Sequence, residues 1–158
     1  MRRRSDRSAG PVLLVASSGG HLLQLVQLLE VWPAEQRCWV TFDTADAASL
    51  LRDERVWFAF HPTNRSVRNL VRNLFLAVRL IRRLRPRAVV TTGAGVAVPF
   101  CYVGRLFRSR VVYIESMSRI SQPSLTARLV YPVASSFFVQ WPELETKFRR
   151  ARYEGQLF

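Results

Sequence analysis

"VLLVASSGGH", residues 12–21, runs an unbroken apolar stretch into two serines, two glycines and one of the chain's two histidines. Apolar residues without alternation suit a strand buried on both faces, the mark of a parallel sheet. The glycines open a tight turn, and "LLQLV" (22–26) continues with helical spacing. The segment therefore reads as strand, turn and helix, the first half of a βαβ unit. The same order recurs along the chain. "CWVTF" (38–42), "VWFAF" (56–60), "AVVTT" (88–92), "VVYI" (111–114) and "FFVQ" (137–140) read as further strands. Helical stretches are expected at 22–30, 45–53, 66–84, 96–107, 124–131 and 143–150. The fold class is α/β: a doubly wound, Rossmann-like parallel sheet with helices on both faces. "YEGQLF" (153–158) reads as the start of a connection.

A length of 158 residues with 49% hydrophobic composition fits one domain with a full core. The expected division is a basic N-terminal tail, 1–10, and a single domain, 11–158. No apolar run approaches the roughly 18 residues of a membrane span. The apolar stretch after "MRRRSDRSAG" is too short for a signal peptide, so a cytoplasmic chain is expected. Cys38 and Cys101 each sit in an apolar stretch and read as buried free thiols. His21 and His61 have no paired carboxylates around them, so no metal site is expected.

The net charge is +13, almost all of it arginine, since Lys147 is the only lysine. Such a charge favours anionic partners: nucleic acid, anionic lipid or phosphorylated substrates. No acidic residue occurs between Glu54 and Glu115.

In sheets of this kind ligands bind at the carboxyl ends of the strands. Gly19 and Gly20 follow the first strand, and Gly93 and Gly95 the fourth. Glycine lets main-chain N–H groups approach an anion closely, and two such loops suggest a phosphate or diphosphate. His21 opens the helix after the first loop, where a neutral imidazole can act as general base near pH 7. Glu115 closes the fifth strand. It can accept bonds from a sugar hydroxyl, orient a loop or act as base, or it can pair with Arg119. Ser116, Ser118, Ser121 and Ser124 bring hydroxyls to the same loop. The acids of "DTAD" (43–46) read as caps of the next helix.

The stretch 66–86 is the strongest helical pattern. Val67, Leu70, Val71, Leu74, Val78 and Ile81 form one apolar stripe, expected to face the core. Arg68, Arg72, Arg79 and Arg83 line up beside it, flanked by Leu76 and Leu80. Exposed leucines beside an arginine ridge suit an anionic bilayer surface.

The ordered set "SSGGH", "TTGAGVAVP", "VYIES" and "FFVQWPE", each at a strand end, resembles the acceptor-binding subunit of split GT-B glycosyltransferases. That family includes the membrane-associated subunit of the eukaryotic dolichol-diphosphate N-acetylglucosamine transferase and bacterial exopolysaccharide proteins of the PssD type. More distantly the chain is similar to the N-terminal half of the peptidoglycan transferase MurG. The resemblance covers nearly the whole chain from about residue 11. It implies that Ser17, Ser18, Gly19, Gly20 and His21 form the first acceptor loop, Gly93 and Gly95 the second, and Glu115 and Ser116 the third. It implies a polyprenyl-diphosphate-linked sugar as acceptor and a separate UDP-sugar-binding subunit as partner, since this chain has no room for a nucleotide-binding half. The eukaryotic subunit carries an N-terminal membrane helix where this chain has "MRRRSDRSAG", so peripheral attachment at the cytoplasmic membrane face is expected. The expected chemistry is inverting glycosyl transfer without metal or cofactor, inactive without the partner.

Two other functions fit parts of the pattern. Asp43 sits about where the ribose-binding acid of an NAD-type oxidoreductase belongs, although "SSGGHLLQ" lacks G-x-G-x-x-G spacing. A basic nucleic-acid-binding module fits the charge but shows no reading motif.

Overall fold

The structure is a computed structural model that describes residues 10–63 and 65–157. The tail at 1–9 lies outside the described residues. Seven strands form one all-parallel sheet: β1 (Val12–Val15), β2 (Arg37–Thr41), β3 (Val56–Phe58), β4 (Ala88–Thr91), β5 (Arg110–Ile114), β6 (Ser136–Val139) and β7 (Ala151–Tyr153). Their spatial order is β3-β2-β1-β4-β5-β6-β7. The helices are α1 (Gly20–Val26), α2 (Ala45–Leu50), α3 (Val67–Leu84), α4 (Ala97–Leu106), α5 (Leu125–Val130) and α6 (Pro142–Glu145).

The unbroken apolar strands have a direct cause. Side chains alternate between the two sheet faces, and both faces are covered. Leu13 and Val15 pack under α3, α4 and α5 with Val89, Val111 and Tyr113. Val12 and Leu14 pack under α1 and α2 with Trp39 and Val90. Cys38 and Cys101 are free and buried. Burial pushes the Cys38 thiol up to about 11 and that of Cys101 up to about 12.

The seventh strand was not expected. It is three residues long and pairs with β6 at the sheet edge. "ARY" carries too few residues for a strand pattern, and the preceding arginines read as helix surface.

The α3 face also differs from expectation. Its buried residues are Asn69, Asn73, Ala77, Leu80 and Ile81. Leu80 is in the core and Leu76 packs against it, so neither flanks the arginines on the outside. Of the expected core stripe, Ile81 is buried and Val78 is partly buried. Val67, Leu70, Val71 and Leu74 face outward with Phe75, which is 72% exposed. The asparagines decide this orientation. Asn73 accepts from Phe60 N–H at 2.8 Å and donates to the Phe60 carbonyl at 2.9 Å. Asn69 donates to the Pro62 carbonyl at 2.9 Å. These bonds satisfy the main chain between β3 and α3, and they turn the asparagine face inward.

α4 lies so close to the sheet that Gly104 touches β4. A Cβ there would stand 2.7 Å from Val89 Cγ2. Overpacking a stiff buried valine costs about 1–3 kcal/mol. Gly104→Ala is therefore expected to lower the thermal midpoint by about 2–4 °C for each kcal/mol. Val89→Ala in the same chain should restore part of the loss, measured by thermal unfolding followed by circular dichroism.

Candidate functional site

β1 and β4 are neighbours in the sheet although two other strands lie between them in sequence. Their outgoing connections lead to opposite faces, so the loops after them part and leave a crevice. A cavity of about 560 Å³ lies there. Ser17, Ser18 and His21 line it from the first loop, Ala94 and Gly95 from the second, and Ser116, Ser118, Arg119 and Ser124 from the third. Phe42, Thr44, His61, Pro62 and Thr63 close the far wall. A larger cavity of about 1070 Å³ lies at the opposite, amino edge, away from the strand carboxyl ends and glycine loops.

His21 is held by reciprocal bonds to the second loop. Its Nδ1 lies 2.8 Å from the Thr92 carbonyl, and Thr92 Oγ1 donates to the His21 carbonyl at 2.6 Å. A carbonyl can only accept, so Nδ1 carries the proton and Nε2 of the neutral ring keeps its lone pair. Gly93, expected to offer its N–H to an anion, makes room for the ring instead: its N–H donates to Thr91 Oγ1 at 2.9 Å, it has φ +110°, and a Cβ there would stand 3.4 Å from His21 Cε1 and 3.1 Å from the Tyr113 hydroxyl.

Gly19 has a different role from the one expected. Its N–H donates to Asp46 Oδ2 at 2.8 Å. That donor is already committed to a carboxylate, so Gly19 contributes a turn, with φ +75°, and no free N–H for an anion. The Thr44 side chain beside it, and then the Gly19 N–H, hold the Asp46 carboxyl below the usual carboxylate range. Thr44, and not Asp43, is the N-cap residue of α2. Gly20 has open space beside it, since nothing lies within 4 Å of an added Cβ.

Glu115 is buried beneath the third loop. Its Oε1 accepts from Ser116 N–H at 2.9 Å, Ser124 Oγ at 3.1 Å and the Tyr113 hydroxyl at 3.2 Å. Its Oε2 accepts from Ser124 N–H at 2.9 Å. Of its expected roles, loop orientation matches this geometry; the carboxylate does not line the cavity, and among the described residues it forms no ion pair with Arg119. Burial, then the adjoining Glu115, pushes the Tyr113 hydroxyl well above the ordinary phenol range. Ser124 also caps α5, accepting from Ala127 N–H at 3.0 Å.

Arg68, Arg72, Arg79 and Arg83 are all exposed on α3, and the Arg72 guanidinium also lies 3.8 Å from the centre of the Phe60 ring. Sequence reasoning missed Gln24, Gln140, Thr92 and the far wall at His61 and Thr63. No group of three or more His, Cys, Asp or Glu gathers among the described residues. No helix among them is long and apolar enough to cross a membrane.

Comparison with known proteins bears on the family and the fold. Residues 12–157 match the family model described as oligosaccharide biosynthesis protein Alg14 like. The chain is 34% identical to the UDP-N-acetylglucosamine transferase subunit ALG14 of Eremothecium gossypii, covering 98% of this chain and 84% of that protein. It is 26% identical to the human subunit of the same name, covering 97% of this chain and 85% of that one. Among solved structures it is similar to Acinetobacter baumannii MurG, with TM-score 0.71 and 21% identity over 85% of this chain. It is also similar to a UDP-GlcNAc 2-epimerase from Neisseria meningitidis, with TM-score 0.71 and 10% identity over 93% of this chain. The chain spans 42% and 47% of those two proteins, and at these identities the likeness shows the fold alone, a Rossmann-like parallel sheet with helices on both faces.

The two acid–base candidates separate in a stability measurement. Glu115→Ala strands Ser116 N–H, Ser124 N–H and two hydroxyls, and is expected to cost about 2–4 kcal/mol. His21→Ala breaks one side-chain bond in a half-open site and should cost about 1 kcal/mol. Chemical denaturation of the two variants checks the order.

Proposed function

The chain belongs to the Alg14-like family of oligosaccharide biosynthesis proteins, and from that membership we propose that it is the acceptor-binding subunit of a two-component glycosyltransferase. The acceptor is a polyprenyl-diphosphate-linked sugar, bound at the cytoplasmic face of a membrane. A separate subunit holds the UDP-sugar. The observation that carries this reading is the His21 ring, with Nδ1–H committed to Thr92, lining the crevice where the β1 and β4 loops part.

The acceptor hydroxyl gives its proton to His21 Nε2. Its oxygen forms the new bond to the anomeric carbon of the donor sugar, and the bond from that carbon to UDP breaks with inversion. The resulting imidazolium returns its proton to solvent. The step as drawn needs neither metal nor cofactor. Ser17, Ser18, Gly95 and Ser116 in the cavity lining supply neutral donors around the diphosphate, Gly20 adds one from the turn that leads into His21, and Arg119 supplies a full positive charge in the same cavity. Glu115 orders the loop that carries Ser116 and Arg119.

The outer face of α3 supports membrane attachment. Val67, Leu70, Val71, Leu74 and Phe75 are exposed beside Arg68, Arg79 and Arg83. An apolar stripe next to cations suits an anionic bilayer surface. The oxidoreductase alternative loses support, because Asp46 occupies a loop N–H that a dinucleotide would use and Asp43 is exposed.

Three measurements test the proposal. With the UDP-sugar subunit present, His21→Ala and His21→Gln should lower turnover by roughly 100- to 10,000-fold. The acceptor KM should change far less, and near-normal turnover would remove His21 as the base. The chain without that subunit should transfer no sugar; robust transfer alone would overturn the two-component reading. In liposome sedimentation, Arg68, Arg79 and Arg83 changed to Gln should each weaken binding by about 1 kcal/mol. Phe75→Ser should weaken it further, and undiminished sedimentation would leave α3 as a plain surface helix.

A further inference from the structure

The third loop is tied to the helix that carries His21 by a buried side chain, Gln24. It lies one turn beyond His21 on α1. Its Oε1 accepts from Met117 N–H at 3.0 Å and from Gln140 Nε2 at 2.7 Å. Its Nε2 donates to the Gly20 carbonyl and to Ser116 Oγ, both at 3.3 Å. Gln140, just past β6, is 1% exposed. It also donates to the Glu115 carbonyl at 3.0 Å, and its Oε1 accepts from Leu157 N–H at 2.9 Å.

Main-chain groups fix both amide orientations. Met117 and Leu157 N–H can only donate, and the Gly20 and Glu115 carbonyls can only accept. A flip of either amide would therefore break bonds at both ends. All four bonding positions of Gln24 are used, and a satisfied buried network of this kind is rigid.

We propose that Gln24 and Gln140 are positioning residues for glycosyl transfer: together they set the separation between the His21 imidazole and the loop that faces it across the cavity. This rests on the acceptor-binding function proposed above. Gln24 links Ser116 and Met117 to α1, so the loop and the base move as one unit. Gln140 links Gln24 and the Glu115 carbonyl to the sheet, so that unit is held in register with β5 and β6. Neither side chain lines the cavity, and neither touches the reacting atoms. Their effect is geometric, and proton transfer is sensitive to such geometry.

Gln24→Met and Gln140→Met test this with little change in volume and no added charge. Hydrogen exchange of the full chain, followed by mass spectrometry, reads loop order without reference to activity. Peptides spanning 116–124 should exchange about tenfold faster in both variants, the size of losing one or two net hydrogen bonds, while strand peptides stay unchanged. In the complex with the UDP-sugar subunit, acceptor kcat/KM should fall by about tenfold or more while donor KM is unchanged. Unchanged loop exchange overturns the proposal. So does a uniform rise in exchange across all peptides, or an equal change in donor and acceptor constants, either of which marks a merely structural role. Should Gln24→Met fail to fold, Gln140→Met carries the same two measurements, since it leaves three of the four Gln24 bonds in place. If the loop loosens but the unaltered complex transfers no sugar, the loop tie stands and the glycosyltransferase reading fails.

Discussion

Parallel strands cannot be joined by tight hairpins, and this constraint shapes everything else in the molecule. Each connection must cross back over a face, so all strand carboxyl ends share one edge. The order β3-β2-β1-β4-β5-β6-β7 then places the reversal between β1 and β4. Only there do neighbouring loops part, and there the chain places four of its seven glycines and His21. The reciprocal pair between His21 and Thr92 spans that gap, so it closes the sheet edge and sets the imidazole tautomer with the same two bonds.

Much of this was legible in the sequence. Strands β1 to β6 announce themselves as unbroken apolar runs, which burial on both faces demands of the inner ones. The "SSGGH" and "TTGAG" loops were legible because glycine and serine at strand ends have few other uses. α3 was not legible in the same way. Periodicity selects the most apolar stripe as the buried one, and here the buried stripe begins with Asn69 and Asn73. Their bonds to the main chain at Phe60 and Pro62 make a polar face the inward one. A helix whose best apolar stripe faces outward breaks the ordinary pattern, and such breaks concentrate where a surface has a partner.

The site divided along a similar line. His21 was readable because histidine is rare in this chain and stands beside two glycines. Thr92 acts on the ring through its carbonyl, which no residue type reports. Gln24 and Gln140 sit in apolar segments, where a lone glutamine reads as a side chain turned to solvent. Their pairing spans 116 residues of sequence. Only the folded chain brings the two amides together, and only main-chain partners fix which way they point.

Glu115 shows how a carboxylate can sit beside the proposed diphosphate site. In the cavity it would repel a diphosphate and raise the basicity of a nearby imidazole. Placed under the loop, it meets two N–H groups and two hydroxyls, which absorb its charge without a cation. Arg119 is thereby left unpaired with it and lines the cavity instead. The protein's net charge of +13 is carried largely elsewhere, since the cavity lining holds one arginine and otherwise neutral or titratable groups. For His21 as the proposed base, such surroundings suit a group that must be neutral before it takes a proton: one arginine in the lining to meet the proposed acceptor's phosphate, and Glu115 held under the loop.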